Sequence, residues 1–200
     1  MAYKRAFEDM FIKGAVNTVA SVGIENTRTK DIASQTGFTE ATMYRMFPTK
    51  EILLRDAFLY IDKQIADILT QSAFIRHPDK TPTELAAYAI WRRVYRYMID
   101  HWAETIFMIR YRYSSLYTED VRKMREIYNG GTDRAYTVFV QDLEQIRVTE
   151  WQLLLDSAFE LTLCFAEKVI NGRMPDTDET ELGVWSVIMN AMEAGMKKIG

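Results

Sequence analysis

The segment TGFTEATMYRMFPTKE, residues 36–51, decides how the N-terminal part of the chain folds. We expect Thr29 to cap a short helix that runs through Thr36. Gly37 should end that helix, because glycine readily adopts the left-handed conformation. Thr39 is expected to cap a second short helix, which ends at Met46 or Phe47. Helices of this length are marginal alone, so the pattern predicts two short helices packed tightly as a helix-turn-helix.

The two short helices separate apolar from polar side chains. Ile32 and Ala33 would face the core from the first helix, and Met43 and Phe47 would face it from the second. The outer positions are Thr39, Glu40, Thr42, Tyr44 and Arg45. Hydroxyl and guanidinium groups reach phosphates and base edges of DNA. The alternative is that residues 29–47 serve packing alone, with Arg45 pairing with a glutamate.

Lys50 stands at the expected start of the next helix, where its ammonium and the backbone N–H groups can together hold a phosphate. The net charge of the chain is −3, and residues 1–60 carry 8 Lys+Arg against 7 Asp+Glu, or +1. Any contact with DNA must therefore come from a few placed residues and not from a broadly basic surface.

The remaining sequence shows apolar residues at helical spacing and only 4 prolines, which predicts an all-α fold. Further helices are expected over the following segments: 7–22 ended by Gly23, Lys50 to about Ser72, Thr81 (N-cap, with Pro82 and Glu84) to about Tyr97, 100–113, 118–128, 132–147, Thr149 (N-cap) to 170, and 178–198. The division expected is an N-terminal three-helix domain over residues 1–50 and a C-terminal helical bundle over 51–200.

Catalytic, metal and membrane signals are absent from the sequence. The single cysteine, Cys164, excludes an intrachain disulfide and is expected to be a buried structural thiol between Leu163 and Phe165. His77 and His101 lack metal-ligand spacing, so no metal, cofactor or enzymatic activity is predicted. Neither a signal peptide nor a run of about 20 apolar residues is present, which favours a soluble cytoplasmic protein.

Residues 23–53, GIENTRTKDIASQTGFTEATMYRMFPTKEIL, resemble the DNA-binding domain of the TetR family of transcriptional regulators. The resemblance covers about residues 5–60, without gaps in spacing. The matching elements are Gly23, Thr27, Asp31-Ile32-Ala33, Gly37-Phe38-Thr39, Tyr44, Phe47, Lys50-Glu51 and Leu53. The remaining 140 residues resemble the family only in length and helical character.

This resemblance implies a homodimeric repressor whose C-terminal domain binds a small-molecule effector and forms the dimer. It implies that Tyr44 and Lys50 contact phosphates and that Arg45 occupies a variable base-reading position. Phosphate or base contacts are implied for four threonines, Thr27, Thr29, Thr39 and Thr42. An activator, an effector-independent regulator and a helical protein-interaction module remain alternatives.

Four positions depart from the pattern of the family. Ala41 replaces a frequent glycine and alters how closely the second short helix can approach DNA. Met46 replaces a histidine or tyrosine and removes a polar contact. Thr18-Val19 stands where a leucine-phenylalanine pair is common.

Residues 85–128 combine ten aromatic with eight basic residues. One interpretation is a pocket for a flat or anionic effector, with five candidate ligand-binding residues: Arg92, Tyr95, Trp102, Arg110 and Tyr113. The other is an aromatic core from which arginines extend to solvent. The face formed by Leu182, Trp185, Met189, Met192 and Met196 suits a symmetric dimer interface or an internal position. A dimer is what a palindromic DNA operator requires.

Overall fold

The computed structural model describes residues 2–73, 83–129 and 148–197, and every regular element within these ranges is an α-helix, as the sequence predicts. The helices are α1 (Ala2–Val22), α2 (Thr29–Thr36), α3 (Glu40–Met46), α4 (Lys50–Ala73), α5 (Thr83–Asp100), α6 (Trp102–Arg112), α7 (Glu119–Asn129), α8 (Val148–Ile170) and α9 (Asp178–Lys197). The predicted cap at Thr81-Pro82 and the predicted helix over 132–147 lie outside the described residues.

The two caps predicted for the short helices had different outcomes. Thr39 is the N-cap of α3, and its Oγ1 accepts a hydrogen bond from the backbone N–H of Thr42 at 3.3 Å. The cap predicted at Thr29 is wrong, since Arg28 is the N-cap of α2 and makes no side-chain cap. The Thr29 hydroxyl donates instead to the Glu40 carboxylate. The cap predicted at Thr149 is also wrong, because α8 already begins one residue earlier.

Two glycines make the packing of the short helices possible. Gly37 ends α2 with φ 73° and ψ 10°, the left-handed conformation that other residues resist. Gly14 lies where α1 meets α2, and a Cβ there would come within 3.1 Å of the Thr36 methyl group and 3.2 Å of the Ile32 carbonyl oxygen. A side chain at position 14 would require these neighbours to shift by a few tenths of an ångström.

The chain divides into two compact units, one of Met1–Gln64 with Ala103–Arg125 and the other of Ile65–Trp102 with Glu126–Gly200. The division into a DNA-binding domain over residues 1–50 and a helical domain over residues 51–200 concerns function and not these two units, and it stays a prediction.

The core of the first unit contains the residues expected from the sequence. Ile32, Ala33, Met43 and Phe47 are each at most 4% exposed, which confirms the predicted inner faces of α2 and α3. The ring of Phe38 packs against α1, with ring centroids 4.8 Å from Phe7 and 5.9 Å from Phe11. Val22, the last residue of α1, is 46% exposed.

The second unit buries a carboxylate. Glu181 of α9 is 1% exposed, and it accepts hydrogen bonds from the Tyr88 hydroxyl at 2.6 Å, from Arg92, and from Arg96 at 2.6 Å. Burial alone would raise the pKa of Glu181, but these three donors lower it below the ordinary value. We call these four residues the Glu181 cluster.

Aromatic rings surround the Glu181 cluster. Trp185 contacts Tyr88 and Trp91, with centroids 5.6 and 5.3 Å away, so it packs within the unit, whereas Leu182 is 54% exposed. The apolar face predicted for α9 is therefore split. Cys164 is exposed, contrary to the buried thiol expected from its apolar neighbours.

In the described parts of the chain, no helix is both long enough and apolar enough to cross a membrane.

Substitution of Gly37 tests the turn. We expect Gly37→Ala to lower the free energy of unfolding by about 1–2 kcal/mol, because an L side chain is strained at this φ although no atom lies within 4 Å of the added methyl group. Gly37→Asn is the matched control and should lose less, since asparagine tolerates the left-handed region. Urea denaturation followed by circular dichroism measures both, and equal losses for the two variants would contradict the assignment.

Candidate nucleic-acid interface

The outer face of α3 presents a row of polar side chains. The hydroxyl oxygens of Thr39 and Thr42 lie 3.1 Å apart, and Arg45 Nη2 donates to the Thr42 hydroxyl at 3.4 Å. Thr39 and Arg45 are exposed, and Met43 on the opposite face is fully buried. The helix thus offers two hydroxyls and a guanidinium to a partner while its other side anchors it.

Tyr44 belongs to a second group that joins α3 to the start of α2. Its hydroxyl donates to Thr29 Oγ1 at 3.4 Å, and Thr29 in turn donates to the Glu40 carboxylate. The Tyr44 side chain nevertheless remains 45% exposed. Glu40 therefore does more than place a negative charge at the start of α3, because it also fixes the rotamer of Thr29.

Lys50 is the first residue of α4, as predicted. Its Nζ donates to the backbone carbonyl oxygen of Thr27 at 3.2 Å, which uses one of the three N–H donors of an ammonium group. Thr27 itself is 2% exposed, and its hydroxyl donates to the carbonyl oxygen of Gly23 at 2.6 Å. The structure therefore shows Thr27 as a support for Lys50, and a direct contact between Thr27 and DNA stays a prediction.

An open cleft of about 530 Å³ gathers four of the seven predicted DNA-binding residues. It is lined by Thr27, Arg28, Thr29, Tyr44, Pro48, Thr49, Lys50 and Glu51. Thr39, Thr42 and Arg45 do not line it but follow one another along α3.

Sequence reasoning did not assign the other four residues of the lining to the site, and two of these carry polar groups suited to an anion. Thr49 accepts the backbone N–H of Ile52 at 3.2 Å and so caps α4, a role that a threonine just before a helix could have suggested. Arg28 adds an exposed cation, and only its charge marked it in the sequence.

The charge at the start of α4 is mixed. The positive end of the helix dipole and Lys50 favour an anion. Glu51 opposes them, since its pKa is lowered mainly by a hydrogen bond from its own backbone N–H and then by the Thr49 hydroxyl. Glu51 is therefore ionised at neutral pH. Its negative charge repels a phosphate, so a phosphate can bind only in the part of the cleft nearer to Lys50.

The five predicted ligand-binding residues are divided between the two units. Arg92, Tyr95 and Trp102 belong to the second unit, and Arg110 and Tyr113 belong to the first. Arg92 binds Glu181, Arg110 donates to the Val19 carbonyl oxygen, and Trp102 and Tyr113 are 52% and 75% exposed. Their role in ligand binding stays a prediction.

Tyr95 differs from the other four. It is 1% exposed and stacks on Trp91 with ring centroids 4.8 Å apart. Its buried hydroxyl has no hydrogen-bond partner among the described residues.

Within residues 2–73, 83–129 and 148–197, no group of three or more His, Cys, Asp or Glu side chains is arranged to hold a metal ion.

Residues 11–57 match the sequence model of a family described as bacterial regulatory proteins, tetR family. The N-terminal helix-turn-helix is a TetR-family domain. The match covers α2, the Gly37 turn, α3 and the start of α4, which are the elements that form the cleft and the outer row of α3. The family resemblance predicted from the sequence is thereby confirmed.

Solved structures extend the likeness in fold to nearly the whole chain. A TetR family transcription regulator from Marinobacter aquaeolei VT8 shares 18% identity, with 96% of this chain and 98% of that chain covered and a TM-score of 0.76. A tetR family regulator from Shewanella sp. PV-4 shares 18% identity over 92% and 96% of the chains, with a TM-score of 0.74. The TetR-like regulator LfrR from Mycobacterium smegmatis, in complex with proflavine, shares 17% identity over 94% and 95%, with a TM-score of 0.60. The search of curated proteins gave no match. The TetR-family domain therefore stands in a chain with the fold of these regulators.

Proposed function

We propose that the protein is a homodimeric transcriptional repressor that binds a palindromic operator and is released from it by a small-molecule effector. The observation that carries the proposal is the cleft at the start of α4, where Thr29, Tyr44 and Lys50 converge next to the exposed row of α3. We place the protein in the cytoplasm, where it meets DNA, and assign it no catalytic activity.

In the proposed complex, α3 lies in the major groove of the operator. Arg45 reads a base edge, for which a guanidinium suits the O6 and N7 acceptors of guanine. Thr39 and Thr42 contact bases or phosphates from the same face. Lys50, Tyr44 and Thr29 hold the phosphate backbone and fix the register of the helix, since such contacts position a protein without reading sequence.

Exposed apolar side chains in the second unit support the dimer. Leu153 of α8 is 68% exposed, and Leu182 and Val187 of α9 are 54% and 46% exposed. Large apolar side chains on neighbouring helices are typical of a surface that a second copy covers. Two copies would present two α3 helices to a palindrome.

Tyr95 supports a small-molecule site in the second unit. A buried hydroxyl without a partner costs free energy, and an acceptor atom on a ligand would remove that cost. The neighbouring ring of Trp91 offers a flat apolar surface, and the regulator from M. smegmatis was solved with the flat compound proflavine. We therefore propose an aromatic effector with a hydrogen-bond acceptor. An anionic effector has less support, because Arg92 already binds Glu181.

Selection of random duplex DNA with the purified protein tests the proposal. We expect enrichment of a palindrome. The Arg45→Ala protein should lose its base preference at one position in each half-site, because both subunits carry the substitution. Sedimentation of the complex should give one dimer per site. If a folded protein enriches no sequence at low salt, the helix-turn-helix serves protein binding and the proposal fails.

Lys50→Ala should weaken binding to the selected operator about tenfold without changing the base preference, because the lysine contacts phosphate. Loss of two phosphate contacts per dimer should also reduce the slope of log K against log salt by about 1.8. Fluorescence anisotropy over a salt series measures both. Lys63→Ala is the matched control, since Lys63 lies about 20 Å further along α4. If the slope of log K against log salt is unchanged for Lys50→Ala, then Lys50 does not contact a phosphate.

Tyr95→Phe should raise the free energy of unfolding of the ligand-free protein by about 1–2 kcal/mol, because it removes a buried hydroxyl that has no partner among the described residues and leaves the ring in place. Urea denaturation measures the change. Tyr88→Phe is the control with opposite sign, since its hydroxyl donates to Glu181. Destabilisation by Tyr95→Phe would show that the hydroxyl is paired.

A further inference from the structure

Arg110 of α6 caps a helix to which it does not belong. The last turn of α1 contains no basic residue, and the Arg110 Nη1 group donates to the carbonyl oxygen of Val19 in that turn. The same oxygen accepts the backbone N–H of Gly23 at 2.9 Å. A guanidinium at this place meets the negative end of the α1 dipole and a carbonyl group at the end of the helix.

The Val19 carbonyl begins a series of hydrogen bonds that ends at Lys50, in the cleft at the start of α4. Gly23 follows α1 with φ 85°, and its carbonyl oxygen accepts the Thr27 hydroxyl at 2.6 Å. The carbonyl oxygen of Thr27 accepts Lys50 Nζ at 3.2 Å. Arg110, the end of α1, the 23–27 turn and Lys50 are therefore linked without a gap, and all of them lie in the first unit.

The geometry points to Arg110 as a positioning residue for DNA binding. It holds the end of α1 and the 23–27 turn, so that the Thr27 carbonyl oxygen directs the Lys50 ammonium toward a phosphate in the cleft. This inference rests on the proposed function, because it requires that Lys50 contacts DNA. Arg110 acts through Lys50 and makes no DNA contact of its own, a role distinct from the ligand contact expected from the sequence.

The test is a double-mutant cycle on the full-length protein, with operator affinity measured by fluorescence anisotropy. Arg110→Ala should weaken binding about five- to tenfold. In the Lys50→Ala background the same substitution should change affinity by less than about twofold, because the group that Arg110 positions is gone. Arg110→Lys should retain most of the affinity, since an ammonium can still reach the end of α1.

Two further variants separate positioning from general stability. Arg112→Ala removes the same charge from the same helix, where Arg112 lies 5.4 Å from the Tyr117 ring, and it should bind the operator within about twofold of the original protein. Thr27→Val removes the hydrogen bond from the Thr27 hydroxyl to the Gly23 carbonyl oxygen. It should weaken operator binding as much as Arg110→Ala does, and only in the protein that retains Lys50. This variant also tests the inference if Arg110→Ala fails to fold.

Each outcome of the cycle has a distinct meaning. Additive losses from Arg110→Ala and Lys50→Ala would overturn the inference, because they would show that Arg110 acts independently of Lys50. Full affinity of Arg110→Ala, with Lys50→Ala still impaired, would overturn it while leaving the proposed function intact. If the original protein selects no operator, or Lys50→Ala binds as tightly as the original protein, the proposed function fails at its phosphate contact and the inference fails with it.

Discussion

The packing of α1 against the short helix α2, and of α2 against the similarly short α3, organises the N-terminal part of the first unit. α2 has 8 residues and α3 has 7, too few to persist alone in water. α2 packs against α1, α3 packs against α2, and the Phe38 ring between them contacts Phe7 and Phe11 of α1. Gly14 permits the close approach of α2 to α1, and Gly37 turns the chain back at once. Because few contacts hold each short helix, the loss of a single packing contact should destabilise it.

The same packing explains why the outer surface is ordered. Since Met43 fixes α3 from within, Thr39, Thr42 and Arg45 need little extra support to share one face. Tyr44, Thr29 and Glu40 restrain each other through hydroxyl and carboxylate groups. Side chains ordered before binding lose less conformational entropy in a complex. The packing of the core therefore orders the side chains of the surface that we assign to DNA before DNA binds.

Sequence reasoning predicted the local features of the fold and missed contacts between distant positions. The Gly37 turn, the Thr39 cap and the four inner residues of α2 and α3 follow from turn chemistry and helical spacing, which operate over a few residues. The contact of Arg110 with Val19 joins positions 91 apart, so no local pattern encodes it. For the same reason the aromatic and basic composition of residues 85–128 could not show that Arg92 and Arg96 bind the carboxylate of Glu181, more than 80 residues away.

The Glu181 cluster has a consequence for what the second unit can recognise. Arg92 and Arg96 already bind a carboxylate that comes from the protein itself. A simple anion that approached these arginines would have to compete with Glu181 for their N–H donors. The chain's own carboxylate therefore already occupies the donors that an anion would need, and we expect the second unit to favour uncharged ligands over simple anions.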